Sequence, residues 1–302
     1  MTNVTILGAG AWGTALAELV QGQGHPVQVW SRQQDLEVVA NAAVVISALP
    51  MTAVRSVAAR IPLADHAILV STTKGLEAGT VLTPSAIWQS YFPKHAVVVL
   101  SGPNLASEIR AKKPAAAVVA GPRAQEVQKI LACERFRVYL NNDPQGVELG
   151  GALKNVVAIS AGVSDGLDLG TNAKSALITR GLAEVIRIGV LLGGQAETFY
   201  GLAGLGDLLT TCTSPLSRNY QVGFRLATHP DLLAVLRSIE GVAEGVNTAR
   251  VLVQLAQQRN LELPIAQQVC ALLDGKTTPQ TALGNLMARS LKEELNISLT
   301  KP

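Results

Sequence analysis

Apolar residues along the first part of the chain gather into short runs, separated by stretches with helical spacing. Val4-Thr5-Ile6-Leu7 and Val27-Gln28-Val29-Trp30 read as the first two strands, with further strands predicted at 43–48, 67–71, 96–100, 116–120 and 137–140. The unbroken apolar character of Val44-Val45-Ile46 and Val97-Val98-Val99-Leu100 suits strands covered on both faces. Strands alternating with helices predict a doubly wound α/β sheet that binds ligands beyond the carboxyl ends of its strands. So few residues follow Trp30 before the third strand that the helix between them must be short or nearly absent. The pattern changes at Asn141-Asn142-Asp143-Pro144. Beyond it lie long helical segments, at 145–163, 172–192 and 242–259, with no alternating strand pattern. The reading is therefore an α/β half, residues 1–142, followed by an all-helical half, residues 143–302, with a cleft between them.

The turn after the first strand carries the first chemistry. Gly8-Ala9-Gly10-Ala11-Trp12-Gly13 follows Leu7 at once and opens the helical run Thr14-Ala15-Leu16-Ala17-Glu18-Leu19. Strand, G-x-G-x-x-G, helix is the context in which this pattern binds a dinucleotide. Gly8 allows the tight turn, Gly10 lets the backbone approach a pyrophosphate, and Gly13 lets the helix pack close to the strand. The helix N-terminus then offers N–H groups to the phosphates. This makes the first half a Rossmann-like, NAD(P)-binding domain. The second strand bears on which dinucleotide. A site selective for NAD places an acid at that strand end, on the ribose 2′-hydroxyl, but here stand Ser31 and Arg32. A guanidinium suits a 2′-phosphate, so NADPH is expected to be preferred, with NADH possible. In the competing reading Arg32 is a solvated charge and Asp35 binds the ribose.

Composition narrows the classes. At 302 residues the chain can hold two domains, and its 16% charged residues fit buried strands, apolar helices and a subunit interface. The net charge of +3 is small and scattered, which argues against nucleic-acid binding. No apolar stretch is long enough to span a membrane: the segment 173–192 is interrupted by Lys174, Arg180, Glu184 and Arg187. The N-terminus lacks a basic n-region, and its apolar residues belong to the first strand, so no signal peptide is expected. Cys133, Cys212 and Cys270 have no metal-site spacing and read as reduced thiols of a cytoplasmic protein; no metal site is expected. His25, His66, His95 and His229 lie near turns or element boundaries, so the proton donor of a dehydrogenase must be sought elsewhere.

Polar residues at strand ends or inside apolar helices supply the candidates. Lys74, in Ser71-Thr72-Thr73-Lys74-Gly75-Leu76-Glu77, follows a buried strand and so projects towards the cleft. Ser101-Gly102-Pro103-Asn104 follows another strand; both segments are also compatible with plain loop chemistry. Lys154 stands among small and apolar residues in Gly150-Gly151-Ala152-Leu153-Lys154-Asn155-Val156-Val157. Desolvation there lowers a lysine pKa and suits it to proton transfer, although a lysine snorkelling from the helix edge fits the pattern equally. Asp207, in Gly204-Leu205-Gly206-Asp207, is either a functional carboxylate or a helix cap. Ser217-Arg218-Asn219 opens a helix with groups that suit a phosphate; capping by Ser217 beside a solvated Arg218 is the alternative.

Together these segments resemble NAD(P)-dependent glycerol-3-phosphate dehydrogenase of the bacterial type. The resemblance rests on the glycine turn through Ala17, Thr73-Lys74-Gly75-Leu76-Glu77, Ser101-Gly102-Pro103 and Glu148-Leu149-Gly150-Gly151-Ala152-Leu153-Lys154-Asn155. Gly204-Leu205-Gly206-Asp207-Leu208, Ser217-Arg218-Asn219 and Gly241-Val242-Ala243-Glu244-Gly245 complete it, in order along nearly the whole chain. It implies a cytoplasmic, homodimeric enzyme that interconverts dihydroxyacetone phosphate and sn-glycerol 3-phosphate for glycerophospholipid synthesis. It also implies roles. Lys154 would protonate the C2 oxygen, Lys74 would bind substrate and approach the nicotinamide, and Asp207 would orient the lysine ammonium. Gly102, Asn104, Ser217, Arg218 and Asn219 would line the substrate site, with Arg218 and Asn219 on the phosphate. Trp12, Arg32, Lys74, Ala106, Arg218, Val242 and Glu244 would touch the cofactor. Asn104 stands where the family commonly has Ser or Thr, and the segment after Arg32 is shorter than usual. A related 3-hydroxyacid or ketopantoate-type reductase would share the nucleotide half. A regulator that senses NADPH without catalysis would have no use for Lys74, Lys154 and Asp207.

Overall fold

The computed structural model describes residues 1–291, 293 and 294 of the 302. Seven strands form one sheet: β1 (Val4–Leu7), β2 (Val27–Trp30), β3 (Val44–Ser47), β4 (Ile68–Ser71), β5 (Ala96–Ser101), β6 (Ala115–Ala120) and β7 (Phe136–Asn141). Their order is β2-β1-β3-β4-β5-β6-β7. The chain reverses its direction of travel across the sheet between β1 and β3, which opens a crevice at their carboxyl ends. Helices α1 (Ala11–Gly22), α2 (Met51–Ala58), α3 (Pro84–Tyr91), α4 (Ala106–Arg110) and α5 (Ala124–Leu131) flank it.

Period-two alternation distributes the strand residues between two layers. Val4, Ile6, Ile46, Val70, Val98 and Val119 pack with Leu16 and Val20 of α1 and Val127 and Ile130 of α5. Leu7, Val45, Leu69 and Val97 point the other way, onto Val54 and Val57 of α2 and Ile87 and Trp88 of α3. The sheet is thus wound on both faces. The short link after Trp30 contains only the 3₁₀ turn Leu36–Val39, as its length requires.

One pairing departs from uniform parallel order: β5 and β6 run antiparallel, and β7 pairs parallel to β6. The connection between β5 and β6 contains only the five-residue α4, about 7 Å of helix at 1.5 Å per residue. The chain re-enters the sheet from the end at which β5 leaves it, so β6 runs back beside β5.

After Asn141 the described residues form helices: α6 (Pro144–Gly166), α7 (Gly170–Leu191), α8 (Asp207–Thr213), α9 (Arg218–Leu226), α10 (Leu232–Arg237), α11 (Gly245–Arg259), α12 (Pro264–Leu273) and α13 (Pro279–Met287). Two irregular pieces, a tight 3₁₀ turn Ala196–Tyr200 and a wider π turn Leu202–Gly206, precede α8. Asp143 starts α6: its carboxylate accepts the Gly146 N–H at 2.8 Å, with Pro144 in the first turn. The same carboxylate takes the Gln195 N–H and the Thr198 hydroxyl, both at 2.8 Å. Residues 146–162 of α6 are buried without a break, as expected of a helix that is mostly small or apolar all round, and Glu148, Lys154 and Asn155 are buried with it. It is the axle of the helical half, and the lysine it carries is enclosed with it.

Candidate active site

At the carboxyl end of β1 the backbone turns at Gly8, with φ +114°, and α1 begins at Ala11. A Cβ on Gly13 would meet the Gly8 carbonyl oxygen at 1.9 Å, so only glycine permits this packing of helix onto strand. Above Gly10 there is open space. No side chain caps α1 and its first turn carries no acid, which leaves a helix N-terminus facing the crevice with its positive end free for an anion. Trp12 reaches across from the same turn and donates its indole N–H to the Thr72 hydroxyl at 3.0 Å. Arg32 is exposed just past β2 and makes no hydrogen bond or ion pair with the described residues. Asp35 caps the 3₁₀ turn by accepting the Glu37 N–H at 3.1 Å, so its carboxylate is engaged locally while the guanidinium remains available. These residues fit a dinucleotide: an uncapped helix N-terminus, room above Gly10, and a free cation at the second strand end.

Next along the crevice, Thr72 and Thr73 donate to the carbonyls of Ser47 and Leu49 at 2.7 and 2.8 Å and fix the segment that leaves β4. Lys74 follows. Its ammonium donates to Asp207 Oδ2 at 2.5 Å and to the Gly102 carbonyl at 3.3 Å. The other carboxylate oxygen, Oδ1, accepts from Lys154 Nζ at 2.7 Å, and Lys154 also donates to the Thr211 hydroxyl. Two lysines from opposite halves of the chain thus share one carboxylate. Asp207 is used in this way, not as a cap for α8, and Lys154 does not snorkel: its side chain is 6% exposed, against 26% for Lys74. Gly151 lies against this crossing: a Cβ there would be in ordinary contact with Lys74 Cε at 3.5 Å but would clash with Ser101 Oγ at 2.5 Å.

Electrostatics sharpen the contrast between the two cations. Burial is the largest influence on Lys154 and brings its pKa down to about 8. The Asp207 charge opposes that shift, and the neighbouring Lys74 charge adds to it. An ammonium poised near neutrality, in a cluster with one surplus positive charge, can release a proton to an oxygen and stabilise negative charge forming on it.

The third group lies at the start of α9. Ser217 caps the helix, its hydroxyl accepting the Tyr220 N–H at 3.2 Å. Asn219 is buried: its amide donates to Asn155 Oδ1 at 2.9 Å, and its oxygen accepts the Gly245 N–H at 2.9 Å. Asn219 therefore also ties α9 to α6 and to the start of α11. Arg218 is exposed and lies over Gly241, where a Cβ would come within 2.8 Å of Nη1. Its charge acts on Glu244, whose carboxyl is nevertheless pushed up by burial. Glu244 accepts the Met51 N–H at 3.0 Å, at the first turn of α2, and Asn247 donates to the Leu76 carbonyl at 2.9 Å. Val242 is exposed beside them. The start of α11 is thus stitched to the nucleotide half.

On the other side of Lys74, the Asn104 amide is committed to the Ala116 carbonyl at 2.9 Å, and Ala106 begins α4. Thr211 and Asn155 were not among the residues singled out from the sequence. Spacing could have found Thr211, which stands four residues after Asp207 and so on the same helical face. Asn155 follows Lys154, but its partner, 64 residues away, is a matter of tertiary packing. The resolved hydrogen bonds of His25 and His95 are to backbone atoms. Among the described residues no group of three or more His, Cys, Asp or Glu side chains could hold a metal ion.

Comparison with known proteins accords with this geometry. Residues 143–284 match the family described as NAD-dependent glycerol-3-phosphate dehydrogenase C-terminus. Residues 3–37 and 33–127 match its N-terminal counterpart. A relative from Gloeobacter violaceus, named Glycerol-3-phosphate dehydrogenase [NAD(P)+], is 58% identical over 97% of this chain and 99% of its own. The crystal structure of glycerol-3-phosphate dehydrogenase from Coxiella burnetii is similar with a TM-score of 0.89, at 35% identity over 95% of this chain and 99% of that one. A ketopantoate reductase from Ralstonia eutropha, at 14% identity and a TM-score of 0.60 over 93% of this chain and 99% of that one, shares the fold alone. The chain belongs to the NAD-dependent glycerol-3-phosphate dehydrogenase family.

Proposed function

We propose that this protein reduces dihydroxyacetone phosphate to sn-glycerol 3-phosphate, reversibly, with NADPH preferred over NADH. The observation that carries the reading is the buried Lys154–Asp207 pair, with Lys74 on the same carboxylate, at the crevice between the two halves. In the reduction C2 gains a hydride and its oxygen gains a proton. Bound nicotinamide supplies the hydride. Lys154 donates the proton to the C2 oxygen and takes it back in the reverse direction. Lys74 binds that oxygen and stabilises its charge, while Asp207 keeps both ammonium groups oriented. Arg218 and Asn219 hold the substrate phosphate at the N-terminus of α9, beside Ser217; Gly102 and Asn104 line the opposite wall. Gly8, Gly10, Gly13, Trp12, Arg32, Ala106, Val242 and Glu244, with Lys74 and Arg218, form the dinucleotide site.

In this reading residues 1–142 bind the dinucleotide and residues 143–302 supply substrate binding and proton transfer. The enzyme acts as a homodimer in the cytoplasm and feeds glycerophospholipid synthesis. Three free cysteines suit a reducing compartment, and among the described residues no helix is long and apolar enough to cross a membrane. Sedimentation at the mass of a single chain at working concentration contradicts the dimer.

The assay is the loss of nicotinamide absorbance when NADPH and dihydroxyacetone phosphate are mixed with the protein. Turnover is expected with the phosphorylated ketone and not with dihydroxyacetone; absence of turnover refutes the proposal. Arg218→Ala is expected to lower kcat/KM for the phosphorylated ketone by roughly tenfold to a hundredfold, the worth of a charge-assisted hydrogen bond. An unchanged kcat/KM for the phosphorylated ketone would remove Arg218 from the phosphate. Arg32→Ala is expected to raise KM for NADPH by about tenfold or more and leave KM for NADH nearly unchanged, since only NADPH carries the 2′-phosphate. Parallel changes for both cofactors contradict that assignment.

A further inference from the structure

A second buried carboxylate stands close to the site and takes no part in the chemistry above. Glu148 lies on α6, six residues before Lys154, and is 2% exposed. Oε1 accepts the Ser71 hydroxyl and the Ser85 N–H, each at 2.9 Å. Oε2 accepts the Ser85 hydroxyl. These partners come from two elements of the nucleotide half: Ser71 is the last residue of β4, and Ser85 lies in the first turn of α3. Between them runs the loop 72–83, which carries Lys74. One carboxylate on α6 therefore grips both ends of that loop. The loop meets α6 again at Gly151, one turn beyond Glu148, where the Lys74 side chain crosses the helix on its way to Asp207.

Burial opposes a charge at this position and pushes the Glu148 carboxyl up, with hydroxyl and N–H donors pulling it back down. Among the described residues no cation faces it through a hydrogen bond. A buried carboxyl satisfied only by neutral donors is a costly way to join two halves that apolar packing could hold. What it adds is direction: its hydrogen bonds fix the loop ends relative to α6 as apolar contact cannot.

We propose that Glu148 is a positioning residue that ties both ends of the Lys74 loop to α6 and thereby sets the placement of Lys74 against Asp207 and Lys154. The inference rests on the reading of Lys74 as a substrate-binding residue of ketone reduction. It acts through Lys74, so its consequences vanish when Lys74 is absent. A loosened loop also withdraws a positive charge from Lys154, which is faced by Asp207, Thr211 and Cys212 of α8 and by Lys74. With Lys74 displaced, Lys154 gives up its proton at higher pH.

The test is a double-mutant cycle of Glu148→Ala and Lys74→Ala, read as kcat/KM for dihydroxyacetone phosphate. Glu148→Ala is expected to lower kcat/KM by about tenfold or more with Lys74 present, and by less than about twofold in the Lys74→Ala background. Its alkaline limb should move to higher pH. Glu148→Gln should recover most of the lost activity, because its amide oxygen accepts from Ser71 and from the Ser85 N–H while its NH₂ donates to the Ser85 hydroxyl. If Glu148→Ala does not fold, Ser71→Ala removes one tie and carries the same cycle, with a smaller loss confined to the Lys74 background.

Equal losses in both backgrounds, an unmoved pH limb, or a Glu148→Gln protein no better than Glu148→Ala overturns the inference. A crippled Lys74→Ala enzyme beside an unimpaired Glu148→Ala enzyme overturns it alone. A fully active Lys74→Ala enzyme overturns the reading of Lys74 as well.

Discussion

Lys154→Ala is expected to lower kcat for ketone reduction by roughly a hundredfold to ten-thousandfold, the range of a lost general acid. Lys154 Nζ is held by Asp207 at 2.7 Å and by Thr211, inside a helix buried on all sides. Among the described residues the other titratable donor bound to Asp207 is Lys74, which also donates to the Gly102 carbonyl and is assigned to holding the ketone oxygen. Binding of NADPH should survive, since Lys154 is not among the residues placed at the dinucleotide. Near-normal turnover with intact folding would remove Lys154 from proton transfer. The pH dependence follows in sign. Reduction needs the ammonium, so kcat/KM falls about tenfold per unit once pH passes about 8. The reverse oxidation needs the amine, so its rate climbs through the same region and levels off above it. An alkaline limb near the ordinary lysine value would contradict the desolvation argument.

Asp207→Asn is expected to have the second large effect, and to act on two measurements at once. The carboxylate holds Lys154 against desolvation and balances two ammonium groups, and both it and Lys154 are nearly inaccessible to water. Removing its charge leaves the lysines close together without a counter-charge. Lys154 then loses its proton below pH 8, because the one influence that raised its pKa strongly is gone and both the burial and the Lys74 charge remain. The alkaline limb of reduction therefore moves to lower pH, opposite to the shift expected for Glu148→Ala, and kcat at neutral pH falls with it. Breaking a buried pair by removing one partner also destabilises the fold, by on the order of 3 kcal/mol, which urea unfolding would register. A limb that stays in place, or moves up, shows that Asp207 does not govern the Lys154 proton.

Much of the scaffold was legible along the chain because its signals are local. The turn from Leu7 to Gly13 is a matter of consecutive residues, and so is the start of α6, where Asp143 and Pro144 mark a helix N-terminus before a long small-and-apolar run. The weak helix after Trp30 could be read from chain length alone. Strand direction could not. The runs that became β5 and β6 look alike in apolar content, and nothing in their periodicity says that one is antiparallel to the other; only their pairing in the sheet shows it. The choice between competing uses of a polar residue was equally closed to the sequence. Asp207 could cap a helix or bind a lysine, Lys154 could snorkel or be buried, and Asp35 could bind ribose or cap its own turn. Each choice depends on what faces the side chain from another element.

By itself, then, the sequence determined the two-sided sheet, the dinucleotide turn, the change to helices after Asn141, and the identity of the groups that chemistry could use. Only the tertiary structure decided that Lys74 and Lys154, on opposite halves, close on the two oxygens of Asp207, that Thr211 joins them, and that Glu148 grips the loop between Ser71 and Ser85. The physical reason is range. Backbone turns and hydrophobic periodicity arise between residues a few positions apart, whereas the proton affinity of Lys154 is set by burial and by charges that packing brings from 53 and 80 positions away in the chain.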